Sequence, residues 1–352
     1  MSFFNQKIKI DNNFISPKHK PYIIAEISCN HKQKLSKVFK MIDAAKIAGA
    51  SAVKLQTFTP DSMTLNLDKK DFVIEEGLWK KRKLYNLYEE AHLPYDYHKP
   101  IFDYAKKKKI TCLTSIFDIE GLNFLDKKFD LPAYKISSFE NNYFELIEKV
   151  IKKNKPIILS TGATEISEIQ EILSFFKKKK FNKLVILKCV SSYPTNLKDC
   201  NLSQISKLKK IFGCLVGFSD HTQGIIASLS AIAQGALVIE KHFNYPEEKT
   251  LDSKFSIGLN ELKNICYQGK EIWETIGDDT FKLSKLEKKS MRFKRSIYVN
   301  QEIKKNEIIN QSNIRIIRPG FSLKPKYYKK IIGKKLNKSK KPGDRISLKD
   351  FY

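Results

Sequence analysis

Eight short apolar runs, rich in β-branched residues and each bounded by turn or polar residues, constrain this chain more than any other feature. They are Tyr22–Ile27, Ala52–Gln56, Ile110–Thr114, Ala133–Ser137, Pro156–Ser160, Leu184–Val190, Cys214–Ser219 and Leu237–Phe243. Most are continuous rather than alternating, as expected of strands buried on both faces. Helical patterns lie between them: Ser36–Ala48, Glu165–Phe176, Gly224–Gln234 and Glu261–Ile276. Eight strands alternating with helices over roughly 250 residues predict an α/β fold, a (β/α)8 TIM barrel. An open doubly wound sheet is the alternative. It lacks support, because the first run leads into Ser28-Cys29-Asn30-His31 rather than a Gly-rich fingerprint. One long gap, between the second and third runs, must hold an insertion. Phe58–His98 is rich in aromatics and charge, and it is expected on the C-terminal rim, where such loops shape pockets.

The pattern changes after about residue 280. Lys282–Lys294 reads as a charged linker. Short strands then alternate with turns: Arg295–Val299, Glu302–Lys304, Ile314–Ile317, Lys334–Leu336 and Arg345–Ser347. The expected division is a barrel over 1–280, a linker over 281–294 and a small β-rich domain over 295–352. A domain of that size is marginally stable alone, so it is expected to pack on its own barrel or a partner's.

The net charge of +27 suggests nucleic acid, but 59 of the 65 basic residues are lysines and six are arginines. Base and phosphate readers favour the planar guanidinium. From Phe281 to Tyr352 there are 22 basic and 5 acidic residues, a patch that could steer anionic substrates. We therefore expect no nucleic-acid partner. No run approaches the roughly 18 apolar residues of a membrane span, and the start carries no apolar signal segment. Six scattered cysteines without CxxC spacing read as buried thiols in a reducing cytoplasm.

Barrel sites form at the C-terminal ends of the strands, and there the polar residues gather. Lys54, Lys135, Ser138 and Ser160 make a candidate phosphate cradle. One lysine in so lysine-rich a chain is a rim residue; two inside apolar strands, beside hydroxyls, are not. His221 and His242 end consecutive strands and suit a divalent ion, with Glu26 and Asp252 nearby. A single histidine would read as core. Glu26, in an apolar run, is a candidate acid–base group or the salt-bridge partner of Lys54.

These residues sit in motifs. They are Ala25–His31, Val53–Thr57, Pro132–Ser138, Pro156–Gly162, Tyr193-Pro194-Thr195, Gly217–Thr222 and Glu240–Phe243, in that order. Their order and spacing resemble the sialic acid synthase family over nearly the whole chain. The tail resembles that family's antifreeze-like (SAF, β-clip) domain through Ile303-Lys304-Lys305 and Ile314–Gly320. The resemblance implies condensation of phosphoenolpyruvate with an amino sugar aldehyde, giving a nine-carbon ulosonic acid and phosphate. It implies catalytic roles for Glu26 and Lys54. It further implies substrate contacts from Gln56, Ser115, Lys135, Ser138, Glu140, Ser160, Ser191, Tyr193, Asp252 and Arg318. The implied cofactor is a divalent metal on His221 and His242, Mn²⁺ first, with Mg²⁺ or Co²⁺ able to serve such a site. The implied assembly is a domain-swapped homodimer in which Arg318 reaches the partner's sugar site.

Two stretches, Gly77–His92 and Leu251–Ser256, resemble the pseudaminate branch, whose sugar is 2,4-diacetamido-2,4,6-trideoxy-altrose. The neuraminate and legionaminate branches are the alternatives. Ser191 stands where the neuraminate branch has Asn, and Tyr95 and Tyr97 stand where Trp is expected. Asn306 replaces a turn glycine, and Asn tolerates positive φ. Outside the family, an anion-binding barrel would need neither the histidine pair nor Glu26.

Overall fold

The computed structural model describes residues 2–277 and 280–352. Contacts divide the chain into two units, residues 1–277 and 278–352.

The first unit opens with an antiparallel hairpin, β1 (Ile8–Ile10) and β2 (Asn13–Ile15), which the sequence pattern did not suggest. The eight apolar runs then become β3 (Tyr22–Glu26), β4 (Ala52–Thr57), β5 (Thr111–Ile116), β6 (Tyr134–Ile136), β7 (Ile157–Ser160), β8 (Leu184–Cys189), β9 (Leu215–Asp220) and β10 (Val238–His242). All eight close into one parallel barrel in the order β10-β3-β4-β5-β6-β7-β8-β9. This is the expected (β/α)8 architecture, with strand ends shifted by one or two residues.

Alternation along each strand makes two cores. One parity points outward: Ile23, Ala25, Val53, Leu55, Leu159, Ile186 and Val216 pack with Val38, Met41 and Ile42 of the helix Leu35–Ala48 and with its counterparts. The other parity points inward. Tyr22, Ile24, Ala52, Leu113, Ile158, Val185, Leu187, Leu215 and Val238 cluster with Ile8, Ile10 and Ile15 of the hairpin. These are largely early strand positions, so the hairpin plugs the barrel's N-terminal end. Gly217 shows how tight that interior is. A Cβ there would lie 2.5 Å from the Val238 carbonyl oxygen and 2.6 Å from Leu187, and glycine alone permits so close a strand approach.

Continue the inward parity toward the strand ends and its character reverses: Glu26, Lys54, Gln56, Ser115, Lys135, Ser160, Cys189, Ser219, Glu240 and His242. Register sets them side by side, with His242 opposite Glu26, Glu26 opposite Lys54, Gln56 opposite Ser115 and Ser115 opposite Lys135.

The insertion carries helices Pro60–Met63 and Leu84–Ala91. Tyr95 and Tyr97, at the end of that stretch, already belong to the outer helix Tyr95–Lys107. There Tyr95 stacks on Phe124 at 4.0 Å.

In the second unit β11 (Ser296–Val299) pairs antiparallel with β12 (Ile314–Ile317). They enclose a small core of Ile297, Val299, Ile303, Ile309, Ile314, Ile331, Leu336 and Ile346. Three expected strands are reduced to isolated bridges, Ile303 to Lys340, Ile308 to Lys335 with Leu336 to Phe351, and Tyr298 to Arg345. Tight turns interrupt them, including one at Asn306, which takes φ 70°. The charged segment expected as a plain linker holds an exposed helix, Lys285–Ser290. Ser284 Oγ caps it by accepting from the Glu287 amide at 3.1 Å. Among the described residues no helix is long and apolar enough to cross a membrane.

Candidate active site

A cavity of about 690 Å³ opens at the C-terminal ends of the strands. Twelve of the fourteen expected site residues line it: Lys54, Gln56, Ser115, Lys135, Ser138, Glu140, Ser160, Ser191, Tyr193, His221, His242 and Asp252. Two do not. Glu26 is fully buried beneath the floor, ion-paired with Lys54, because the ammonium one strand over covers its carboxylate. Arg318 belongs to the second unit, where it is exposed after β12.

The floor is a charge lattice. Lys54 Nζ pairs with Glu26, donates to Ser115 Oγ at 2.7 Å and lies 3.8 Å from Glu240 Oε1. Lys135 Nζ donates to Ser160 Oγ at 2.8 Å and lies 3.8 Å from the same Glu240 oxygen. All four groups are almost wholly buried, so Coulomb terms are weakly screened. Burial alone would raise Glu240; Lys135 and then Lys54 hold its carboxyl below its ordinary value. Burial opposes the charge on Lys54 as well, and Glu240 with Glu26 raises that ammonium regardless. Lys135 is lowered, burial outweighing Glu240. Glu26 is raised by burial, against the pull of Lys54. At 3.8 Å the Glu240 contacts are not hydrogen bonds, which leaves donor capacity on both lysines for an incoming anion. The strand pattern places Glu240 inward as surely as His242, yet its sequence gave it no assigned role.

Hydroxyls wall one side. Ser138 Oγ accepts from the Gly162 amide at 3.0 Å. A Cβ on Gly162 would lie 2.2 Å from Ser191 Oγ and 2.8 Å from Ser138 Oγ, so glycine is what lets these tips converge. Nearby, burial lifts the Glu140 carboxyl to about 7 although Lys135 pulls the other way, and Ser137 Oγ donates to it.

The histidine pair faces the other side, with ring centres 5.3 Å apart. Asp220 fixes the loop that carries His221. Its Oδ1 accepts from the Thr222 amide and hydroxyl, both at 2.8 Å, and its Oδ2 accepts from Ser228 Oγ at 2.6 Å and pairs with buried Lys241 at 3.2 Å. His221 Nδ1 donates to the Val190 carbonyl at 2.9 Å, so its Nε2 keeps the lone pair. His242 Nδ1 lies 3.1 Å from Asp252 Oδ2. This donor set fits a divalent ion that takes its remaining ligands from water and substrate. Among the described residues no cluster of three or more His, Cys, Asp and Glu closes a full protein cage.

Ser28 was not expected here. Its amide donates to Glu26 Oε1 at 3.0 Å. Its hydroxyl donates to Asp252 Oδ2 at 2.6 Å and accepts from Gln56 Nε2 at 3.0 Å. The roof is aromatic. Trp79 and Phe58 from the insertion, with Tyr193 and Phe255, line the cavity, and Tyr193 lies 4.4 Å from His221 and 5.2 Å from Phe255. Tyr95 and Tyr97 are absent from this wall.

A closed parallel barrel with buried lysines, hydroxyls and an imidazole pair at the strand tips defines a TIM-barrel enzyme site built for an anionic substrate. The sequence profile of the NeuB family matches residues 41–281 and that of the SAF domain matches residues 294–351; the chain belongs to the NeuB family. It is 45% identical over 340 residues to the pseudaminic acid synthase of Campylobacter jejuni subsp. jejuni serotype O:23/36 (strain 81-176), covering 96% of this chain and 98% of that one. To the N,N'-diacetyllegionaminic acid synthase of Campylobacter jejuni subsp. jejuni serotype O:2 it is 34% identical, covering 93% and 99%. Among solved structures, the N-acetylneuraminic acid synthetase of Leptospira borgpetersenii serovar Hardjo-bovis, in complex with citrate, superposes with a TM-score of 0.73 at 31% identity, over 81% of this chain and 95% of that one.

Proposed function

We propose that the chain is a pseudaminic acid synthase. It condenses phosphoenolpyruvate with 2,4-diacetamido-2,4,6-trideoxy-altrose, giving a nine-carbon nonulosonic acid and phosphate. The observation that carries the reading is the end-to-end likeness to pseudaminic acid synthases, which exceeds that to the legionaminic acid synthase.

Lys54 and Lys135 supply charge to the phosphate and carboxylate of phosphoenolpyruvate, and Ser115, Ser138, Ser160 and Ser191 supply hydroxyls. The lysines arrive matched by the carboxylates of Glu26 and Glu240, and Lys54 in particular is held in its charged form by them. Glu26 does not touch the cavity; its part is to hold Lys54 in place. His221 and His242 would hold a divalent ion, Mn²⁺ by preference, with Mg²⁺ or Co²⁺ as substitutes. When bound, such an ion polarises the sugar aldehyde as a Lewis acid. C3 of phosphoenolpyruvate bonds to the aldehyde carbon. Water then adds at C2, and phosphate leaves with its bridging oxygen through C–O cleavage. Glu140, with a pKa of about 7, can carry a proton beside the reacting groups. Gln56, Tyr193 and Asp252 face the sugar, and the aromatic roof covers its methyl and acetyl groups.

Residues 1–280 form the catalytic domain, and 281–294 connect it to the SAF domain, 295–352. In the proposed domain-swapped homodimer Arg318 reaches the partner's sugar site; a monomer in sedimentation at micromolar concentration would remove that role. Six free thiols and a phosphoenolpyruvate substrate suit the cytoplasm.

The test is phosphate release from EDTA-stripped protein given phosphoenolpyruvate, Mn²⁺ and one sugar at a time. The sugars are the diacetamido altrose, the legionaminate precursor and N-acetylmannosamine. Release with the altrose alone, with a nine-carbon product by mass, is expected. Release with another sugar instead moves the enzyme to that branch. No release with any sugar, metal restored, overturns the reading.

A further inference from the structure

Ser28 holds the left-handed backbone conformation, φ 46°, at 3% exposure. Glycine adopts that conformation without steric cost, and a side chain there is strained. Strain at a buried position persists where the surroundings require the side chain. What the side chain does is on display. Its single hydroxyl hydrogen goes to Asp252 Oδ2 at 2.6 Å, so it must accept from Gln56 Nε2 at 3.0 Å. Gln56 Nε2 also donates to Glu26 Oε1 at 3.3 Å. Both amide hydrogens of Gln56 are then used, and its carbonyl oxygen is the polar atom left for the cavity. Asp252 has Oδ2 turned to Ser28 and to His242 Nδ1 at 3.1 Å, and its side chain lines the cavity.

We infer that Ser28 is a positioning residue for sugar recognition. Its hydroxyl turns Gln56 and Asp252 so that both present acceptors to the donors of the diacetamido sugar, its N–H and O–H groups. It also keeps Asp252 Oδ2 beside Nδ1 of His242, one of the two rings that would hold the ion. The backbone N–H of Ser28 to Glu26 is a separate contact that any residue retains. This inference rests on the synthase reading above.

Two variants separate position from stability. Ser28→Gly removes the hydroxyl and relieves the strain. Ser28→Ala removes the hydroxyl and keeps the strain. Ser28→Gly should melt above Ser28→Ala by about 2 °C. Both should nonetheless lose kcat/KM for the sugar to a similar extent, on the order of 10–100-fold, while KM for phosphoenolpyruvate stays within about twofold of wild type. Mn²⁺ titrated into the stripped proteins and read by electron paramagnetic resonance should bind both variants about tenfold more weakly than wild type. Wild-type sugar kinetics in Ser28→Gly, or activity that simply follows melting temperature, would overturn the inference. If wild type releases no phosphate with any sugar, the synthase reading fails; the Mn²⁺ titration then decides, and equal affinity in all three proteins overturns the role of Ser28.

Discussion

The two ends of the barrel are made from the same eight strands with the same inward parity, and they hold opposite chemistry. At the N-terminal end Ile24, Ile158 and Leu187 close around a hairpin plug that carries Ile10. At the C-terminal end Glu26, Lys54, Lys135 and Glu240 share a floor almost as dry, held by ion pairs. Apolar burial is favourable wherever it fits. A buried charge must be matched or it is expensive. One end therefore supplies stability, and the other spends part of it to keep cations ready for an anion.

The sharpest way to break this contrast is Lys135→Met. Glu240 would be left with Lys54 as its one lysine partner, and the anion site would lose a cation. Turnover should fall about 10²–10³-fold, with a stability loss on the order of 3 kcal/mol, read by phosphate release and denaturant melts. Near-normal turnover would mean the cavity floor is structural only. Next comes Ile10→Ala in the plug, fully buried in the native fold. It should cost about 2–5 kcal/mol and leave kcat unchanged at a temperature where the protein stays folded. A fall in kcat there would show that the two ends are mechanically coupled. The mildest test is Glu140→Gln. Glu140 titrates near 7 in the fold against 4.5 in an exposed chain, so its protonated form is the one folding favours. The stability it adds is complete below about pH 4.5 and is lost as pH rises through about 7. The variant should match wild type near pH 4 and melt higher than wild type near pH 8; parallel melting curves across that range would mean Glu140 stays ionised.

The barrel was legible because each strand is buried on both faces, and Leu184–Cys189 or Leu215–Asp220 leave no other reading. The hairpin was not. Ile8, Ile10 and Ile15 make two three-residue strands, too short to carry a period. Eleven of the twelve cavity residues could be found at or just past strand tips; Asp252, in the loop after β10, came as a substrate contact with the family resemblance. Glu26 could be found but not its depth, because whether a carboxylate faces a cavity or a neighbouring ammonium depends on register with β4. Ser28 carried no signal at all: a serine after a strand is ordinary, and only its φ of 46° and its two partners give it meaning. Tyr95 and Tyr97 misled for the opposite reason. Their aromatic character suits a pocket wall, yet the helix Tyr95–Lys107 places them on the outside of the barrel.

The insertion enters and leaves through β4 and β5, which are hydrogen-bonded to each other over six residue pairs. A closed sheet cannot slip by one residue without turning every inward group outward, so Lys54 and Ser115 stay put whatever the intervening chain does. The segment that roofs the cavity can therefore lengthen, shrink or be exchanged for another without disturbing the lysines and hydroxyls of its floor. Descent from a common ancestor can then change the diet of such an enzyme by editing one stretch of chain, while its reaction is inherited intact.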